Sequence, residues 1–296
     1  MTEVRRSLDP LAVGAMLVLT ALWGFQQVAI KLAAPDVSLV MQGALRSAVA
    51  TVLVLVWAKV RGIPLWAHDG SLIPGVLAGL AFAAEFALIY AGLAYTTAAR
   101  MIVFIYLAPC LTALGLTWFV PGEHLRPWQW IGVLLAFAGL AIAFADGFSA
   151  PDRSTLVGDA MGVLAAALWA ATTVLIRATG LTRISATKVL FYQLSVSTAL
   201  LPLVSIALGE RGVIAWTPVA VASLAYQSVI VAFASYLTWF WLLTRYLAGR
   251  LAVFSFAAPL FGVAFGALIL GDPLSPAFVG AAVLVGAGIA LVNVRR

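Results

Sequence analysis

Residues 71–93 read SLIPGVLAGLAFAAEFALIYAGL, and across these positions only Glu85 carries a charge. A helix needs about 20 predominantly apolar residues to cross a hydrocarbon core about 30 Å thick, so this stretch has the length and chemistry of a membrane span. Its exception is as informative as its rule. A carboxylate left charged and alone in hydrocarbon costs several kcal/mol or more, so Glu85 demands a partner, a proton or water in the middle of the run.

The rest of the chain is similar material. Of 296 residues 64% are hydrophobic and only 9% charged, and the mean hydropathy is +1.09, which places the chain among polytopic membrane proteins. The net charge of +6 does not indicate nucleic acid, because the basic residues stand singly between apolar runs and form no patch for a row of phosphates. Cys110 has no second cysteine to pair with, and with two histidines it leaves too few soft ligands for a structural zinc site. No metal or other cofactor is expected.

Cutting the sequence where charges, prolines and glycines interrupt the apolar runs predicts an all-α protein of ten spans. They lie near 11–31, 38–58, 71–93, 100–120, 128–147, 156–176, 187–208, 217–243, 251–270 and 277–294. The first follows Arg5 and Arg6 as the core of a secretory leader would, but it is too long and lacks a small-x-small cleavage site before Lys31, so it reads as a span. With the N-terminus inside, 12 of the 17 basic residues fall on the inner side and 4 on the outer, with Arg46 inside a span. That asymmetry predicts that both termini are cytoplasmic.

The two halves share landmarks at an offset of about 146 to 150 residues. Ala21-Leu22-Trp23 returns as Ala167-Leu168-Trp169, Lys31 as Arg177, and Arg46 aligns with Gln193. Arg100 and Pro109 keep the separation of Arg250 and Pro259, and Gly122-Glu123 answers Gly271-Asp272. Five spans per half is an odd number, so the second half must enter from the opposite side. The expectation is two inverted five-helix repeats, 1–148 and 149–296, forming one membrane unit with a binding site near midplane between them.

Trp23-Gly24 followed by Lys31, Arg46, Tyr106-x-x-Pro109, and Gly122-Glu123-x-Leu125 leading to Gln129, Gly132 and Gly139 resemble the drug/metabolite transporter superfamily in its EamA-type branch of ten-span carriers. The resemblance covers nearly the whole chain and is nearest to the aromatic amino-acid exporters; Asp272-Pro273 departs from it, since the family often has Glu there. It implies a secondary transporter.

Depth selects the candidate substrate-binding residues. Arg46, Glu85 and Gln227 fall roughly 12–15 Å below the outer edge and can share one polar layer. Two readings stand for Arg46 and Glu85: they face a wet cavity and hold the two charges of a zwitterion, or they form a salt bridge that ties spans two and three. Trp23 and Gln27 lie four apart on span one with Gln26 beside them, and Trp169 with Thr172 and Thr173 occupies the matching stretch of span six. Tyr106, above the kink-forming Pro109, and Gln193, opposite Arg46 in the repeat, complete the set. Lys31 and Arg177 at span ends read as snorkelling, Trp239 and Trp241 as belt or packing, and Glu123 as a cap.

A single deep cation disfavours phosphate-bearing substrates, whereas one cation, one anion, amides and indole faces suit an amino acid with an aromatic or other bulky neutral side chain. The sequence therefore predicts export of such amino acids by alternating access, with lipophilic drugs or another small metabolite as the alternative substrate and a monomer as the favoured state. An intramembrane enzyme would need a nucleophile–base pair at one depth, yet His68 and His124 fall in loops and Cys110 stands alone. A channel is disfavoured by the paired, kinked spans.

Overall fold

Asp9 caps the first helix by accepting from the backbone N–H of Ala12 at 2.9 Å, and Pro10 supplies the preset φ that its first position favours. The same grammar recurs along the chain in the computed structural model, which describes residues 8–148, 152–271 and 277–294. Thr97, Asp152, Ser185 and Thr217 each cap the helix that follows with a side-chain oxygen.

Among the described residues ten apolar helices follow one another: α1 Pro10–Ala33, α2 Leu39–Val60, α3 Leu72–Gly92, α4 Ala98–Phe119, α5 Pro127–Ala143, α6 Arg153–Ala178, α7 Ala186–Ala207, α8 Pro218–Arg245, α9 Ala248–Leu270 and α10 Ala277–Asn293. Eight are long and apolar enough to cross a membrane; α5 and α10 are the two shorter ones, at 17 residues each. Their rise of about 25 Å falls short of a bilayer core of about 30 Å, a mismatch that thinning of the bilayer or flanking residues can absorb. The expected segments 128–147 and 277–294 are thus trimmed, and Arg5, Arg6, Arg295, Arg296 and the Asp272-Pro273 turn lie outside the described residues.

Three helices are irregular. The α4 ladder breaks at Tyr106 and Leu107, ahead of Pro109, whose missing N–H frees the Ile105 carbonyl. The α9 ladder tightens into a 3₁₀ turn over Val253–Phe256, ahead of Pro259, and α8 widens into a π-helical stretch over Tyr226–Ser235.

Packing joins α5 to α10, α2 to α7, α1 to α9, α3 to both α6 and α7, α4 to α6, and α8 to both α1 and α2. Small residues permit the closest of these approaches. A Cβ on Gly132 would stand 2.8 Å from the Gly288 carbonyl oxygen, and one on Gly288 would stand 2.5 Å from that of Gly132. Gln129 adds a polar tie there, donating to the Val292 carbonyl at 2.7 Å. Two borrowed caps join separate helices: Glu210 accepts from the backbone N–H groups of Val40 and Met41 at the start of α2, and Glu123 from that of Ala248 at the start of α9.

Candidate substrate cavity

Helix α3 carries Phe82, Glu85, Phe86 and Ile89, each three or four residues from two of the others, and Leu93 follows four residues after Ile89 at its C-terminal cap, so all five lie on one face. That face borders a cavity of about 530 Å³ whose other walls come mainly from α1, α4, α6, α8 and α9. The lining reaches exposed residues at Lys31 and Ala98, the end of the bundle where α1 finishes and α4 begins.

Seven of the nine residues singled out from the sequence border this space: Trp23, Gln26, Gln27, Glu85, Tyr106, Trp169 and Gln193. The aromatic ones form a jointed wall. Trp23 meets Trp239 edge-on at 5.8 Å and donates from its indole N–H to the Ser235 hydroxyl at 2.9 Å, while Tyr106 meets Trp169 edge-on at 5.6 Å. Phe82 and Tyr236, edge-on at 5.9 Å, carry the wall across to α8. Such fixed ring edges and faces suit a flat apolar side chain.

The other two residues are placed elsewhere. Gln227 does not border the cavity; its amide donates to the Gln42 side chain at 2.8 Å and to the Ser223 hydroxyl at 3.1 Å, and Gln42 in turn donates to the Val37 carbonyl, so this pair ties α8 to α2. Arg46 sits behind the wall, 1% exposed, with its guanidinium 4.5 Å from the centre of the Phe86 ring. It makes no direct ion pair with Glu85. The tying salt bridge of the sequence reading is therefore absent, and so is direct contact between the guanidinium and the cavity.

Several polar groups here lack partners. Glu85 is 6% exposed, with no hydrogen bond or ion pair among the described residues. Gln193 is fully buried, and neither its amide nitrogen nor its oxygen has a hydrogen-bond partner; Nε and Nη1 of Arg46 lack one as well. Unmet capacity of this kind, buried and beside a cavity, marks where a polar ligand or water is received.

Corrections gather at the two ends. Arg177 does not snorkel: it is 4% exposed, forms an ion pair with Glu123 and donates to the carbonyls of Leu243 and Tyr246, fastening α6 to the α4–α5 turn and to the end of α8. Glu123 caps α9 rather than the helix that follows it. Lys31 borders the cavity mouth, and Trp239 belongs to its wall. Arg100 and Asp159, near the starts of the expected spans 100–120 and 156–176, are buried in α4 and α6 and paired with each other. The Trp239 role had a signal in the spacing Tyr236, Trp239, Phe240; the Arg177 role had none, because its partners come from distant turns.

The family model for EamA-like transporters matches two stretches, residues 10–145 and 156–294. The chain belongs to this family. Its apolar helices make it a multi-pass membrane protein. Among similar proteins are the uncharacterized transporter YvbV of Bacillus subtilis (strain 168), 27% identical over 69% of this chain and 66% of that one, and an uncharacterized transporter of Archaeoglobus fulgidus, 26% identical over 62% of each. The chain thus spans somewhat less than two thirds of the length of these two relatives. YoaV of the same Bacillus strain, also an uncharacterized transporter, is 21% identical over 91% of this chain and 92% of its own. A solved crystal structure shares the fold, with a TM-score of 0.81 at 22% identity, covering 95% of this chain and 97% of that one.

Proposed function

We propose that this transporter exports amino acids with aromatic or other bulky neutral side chains across a bacterial inner membrane, by alternating access between two inverted five-helix repeats, 1–148 and 149–296. The observation that carries the substrate reading is Glu85, a carboxylate without a partner facing a cavity walled by indole and phenol rings. In this reading Glu85 takes the substrate ammonium, the rings of Trp23, Trp239, Tyr106 and Trp169 take its side chain, and the unmet Gln193 amide takes its carboxylate with the Arg46 charge behind it.

Helix contacts support the repeats. Adding five to each helix number turns the contact of α1 with α9 into that of α6 with α4, and the contacts of α3 with α6 and α7 into those of α8 with α1 and α2. The pairs α2–α7 and α5–α10 map onto themselves, as expected about a two-fold pseudo-axis in the membrane plane. Charge asymmetry supports placing the Arg177 end and both termini in the cytoplasm. In that orientation the cavity faces out.

One observation favours a second reading. Because Arg46 does not border the cavity, the lining holds an anion for an amine but no deep cation for a carboxylate, which suits lipophilic amines lacking an acid group. Competition in liposomes separates the two. If the amino-acid reading holds, unlabelled tryptophan suppresses labelled tryptophan flux strongly and tryptamine weakly; the reverse order selects the amine reading, and no flux of either rejects both.

A further inference from the structure

The segments Trp57-Ala58-Lys59-Val60-Arg61 and Trp241-Leu242-Leu243-Thr244-Arg245 end α2 and α8 with one pattern, a tryptophan four residues ahead of an arginine. Each guanidinium folds back over its own indole, Arg61 at 5.3 Å from the ring centre of Trp57 and Arg245 at 4.5 Å from that of Trp241. Between the two tryptophans lies a groove of about 340 Å³, separate from the substrate cavity, lined by Trp57, Ala186, Thr187, Leu237, Thr238 and Trp241.

The groove is apolar where it would meet acyl chains and cationic where it would meet headgroups. Lys59, Arg61, Arg183 and Arg245 are exposed at this end and make no ion pair among the described residues. The acids described here are already engaged: Asp9 by the Ala12 N–H and the Tyr246 hydroxyl, Asp69 by Ser71 and Lys188, Glu123 by Arg177 and the Ala248 N–H. The first turn of α7 also opens at the groove, and its N-terminal end adds partial positive charge.

We infer that this groove is a site for one anionic phospholipid, its phosphate held between Arg61 and Arg245 and an acyl chain laid between Trp57 and Trp241. Guanidiniums give phosphate oxygens paired, charge-assisted hydrogen bonds, and tryptophan at the boundary between headgroup and chain is the usual membrane anchor. The groove opens between α2, α7 and α8, the helices that tie the two halves of the bundle, so a bound lipid would brace that junction.

Purified protein in a neutral detergent is titrated with dioleoyl phosphatidylglycerol, dioleoyl phosphatidylcholine and inorganic phosphate, and bound lipid is counted by native mass spectrometry. Phosphatidylglycerol should be retained one per chain, phosphatidylcholine and phosphate much less, and R61Q/R245Q should weaken phosphatidylglycerol binding roughly tenfold or more. Equal retention of the two lipids, binding unchanged in the double variant, or a groove occupied by a second copy of the chain in lipid-free detergent would overturn the site. Independently of any variant, a photoactivatable acyl chain on phosphatidylglycerol should label the wild type at the ends of α2 and α8; labelling confined to other helices would also overturn it.

Discussion

Glu85 and Gln193 are the residues on which the transport reading turns, since each brings unmet hydrogen-bonding capacity to the cavity and neither contributes a bond to the fold. Glu85→Gln keeps the volume and removes the charge. It should fold as the wild type and lower tryptophan flux in liposomes by about ten- to a hundredfold, the worth of one charge-assisted hydrogen bond of about 1.5–3 kcal/mol. Gln193→Ala should reduce flux while leaving competition by tryptamine unchanged, because only the carboxylate end is affected. Wild-type flux in either variant would detach it from the site. Glu85 was legible in the sequence as a group that needs a partner, a proton or water, because it is a lone acid in a long apolar run; whether a salt bridge or a cavity meets that need was not legible there. Arg46 was legible as deep, but not as standing behind Phe86, since depth follows from counting along one helix and facing depends on rotation against the neighbours.

At the scale of elements, α5 and α10 depend on closeness. Gly132→Leu places a branched side chain where even a Cβ meets the Gly288 carbonyl oxygen at 2.8 Å, and should destabilise by about 1–3 kcal/mol, read as a lower thermal midpoint in detergent. Gly286 on the same α10 has open space at its Cβ position, so Gly286→Ala should be neutral or stabilise by about 0.5–1 kcal/mol. The start of α3 carries a pH dependence. The Ser71 hydroxyl and then the Lys188 ammonium hold the Asp69 carboxyl down to about 2 from its usual 3.8. A carboxyl whose folded value is lowered contributes stability in full above the unfolded value and loses it as pH falls towards the folded one. The stability advantage of wild type over Asp69→Asn should therefore be constant above pH 3.8 and shrink between 3.8 and about 2; an advantage unchanged to the lower limit would remove Asp69 from the account.

For the molecule as a whole, the two ends of the cavity differ. One reaches the surface at Lys31 and Ala98, and beyond the other Arg177, Glu123 and the caps they serve join α4, α5, α6, α8 and α9. Arg177→Met leaves the Glu123 charge buried and should cost about 3–5 kcal/mol, whereas Arg177→Met with Glu123→Gln should recover part of that loss. If this cluster is what keeps its end shut, a water-soluble thiol reagent applied there should reach Thr173→Cys, which borders the cavity and is 4% exposed, faster in the Arg177→Met background than in the wild type. Equal rates would mean that packing alone closes that end.

Run length and charge, properties of consecutive residues, were enough to determine a membrane protein with ten apolar helices among the described residues, the kink position at Pro109, and seven residues that border the cavity. Only the tertiary structure decided that Arg46 stands behind Phe86, that Gln227 is a tie between helices, that Arg177 is buried against Glu123, and that Trp239 joins the cavity wall. A hydrocarbon solvent selects helices by local composition alone, because every backbone group must be bonded within its own segment. Which face of each helix turns inward, and which distant turn supplies a charge with its partner, is set by contacts between segments far apart in the chain.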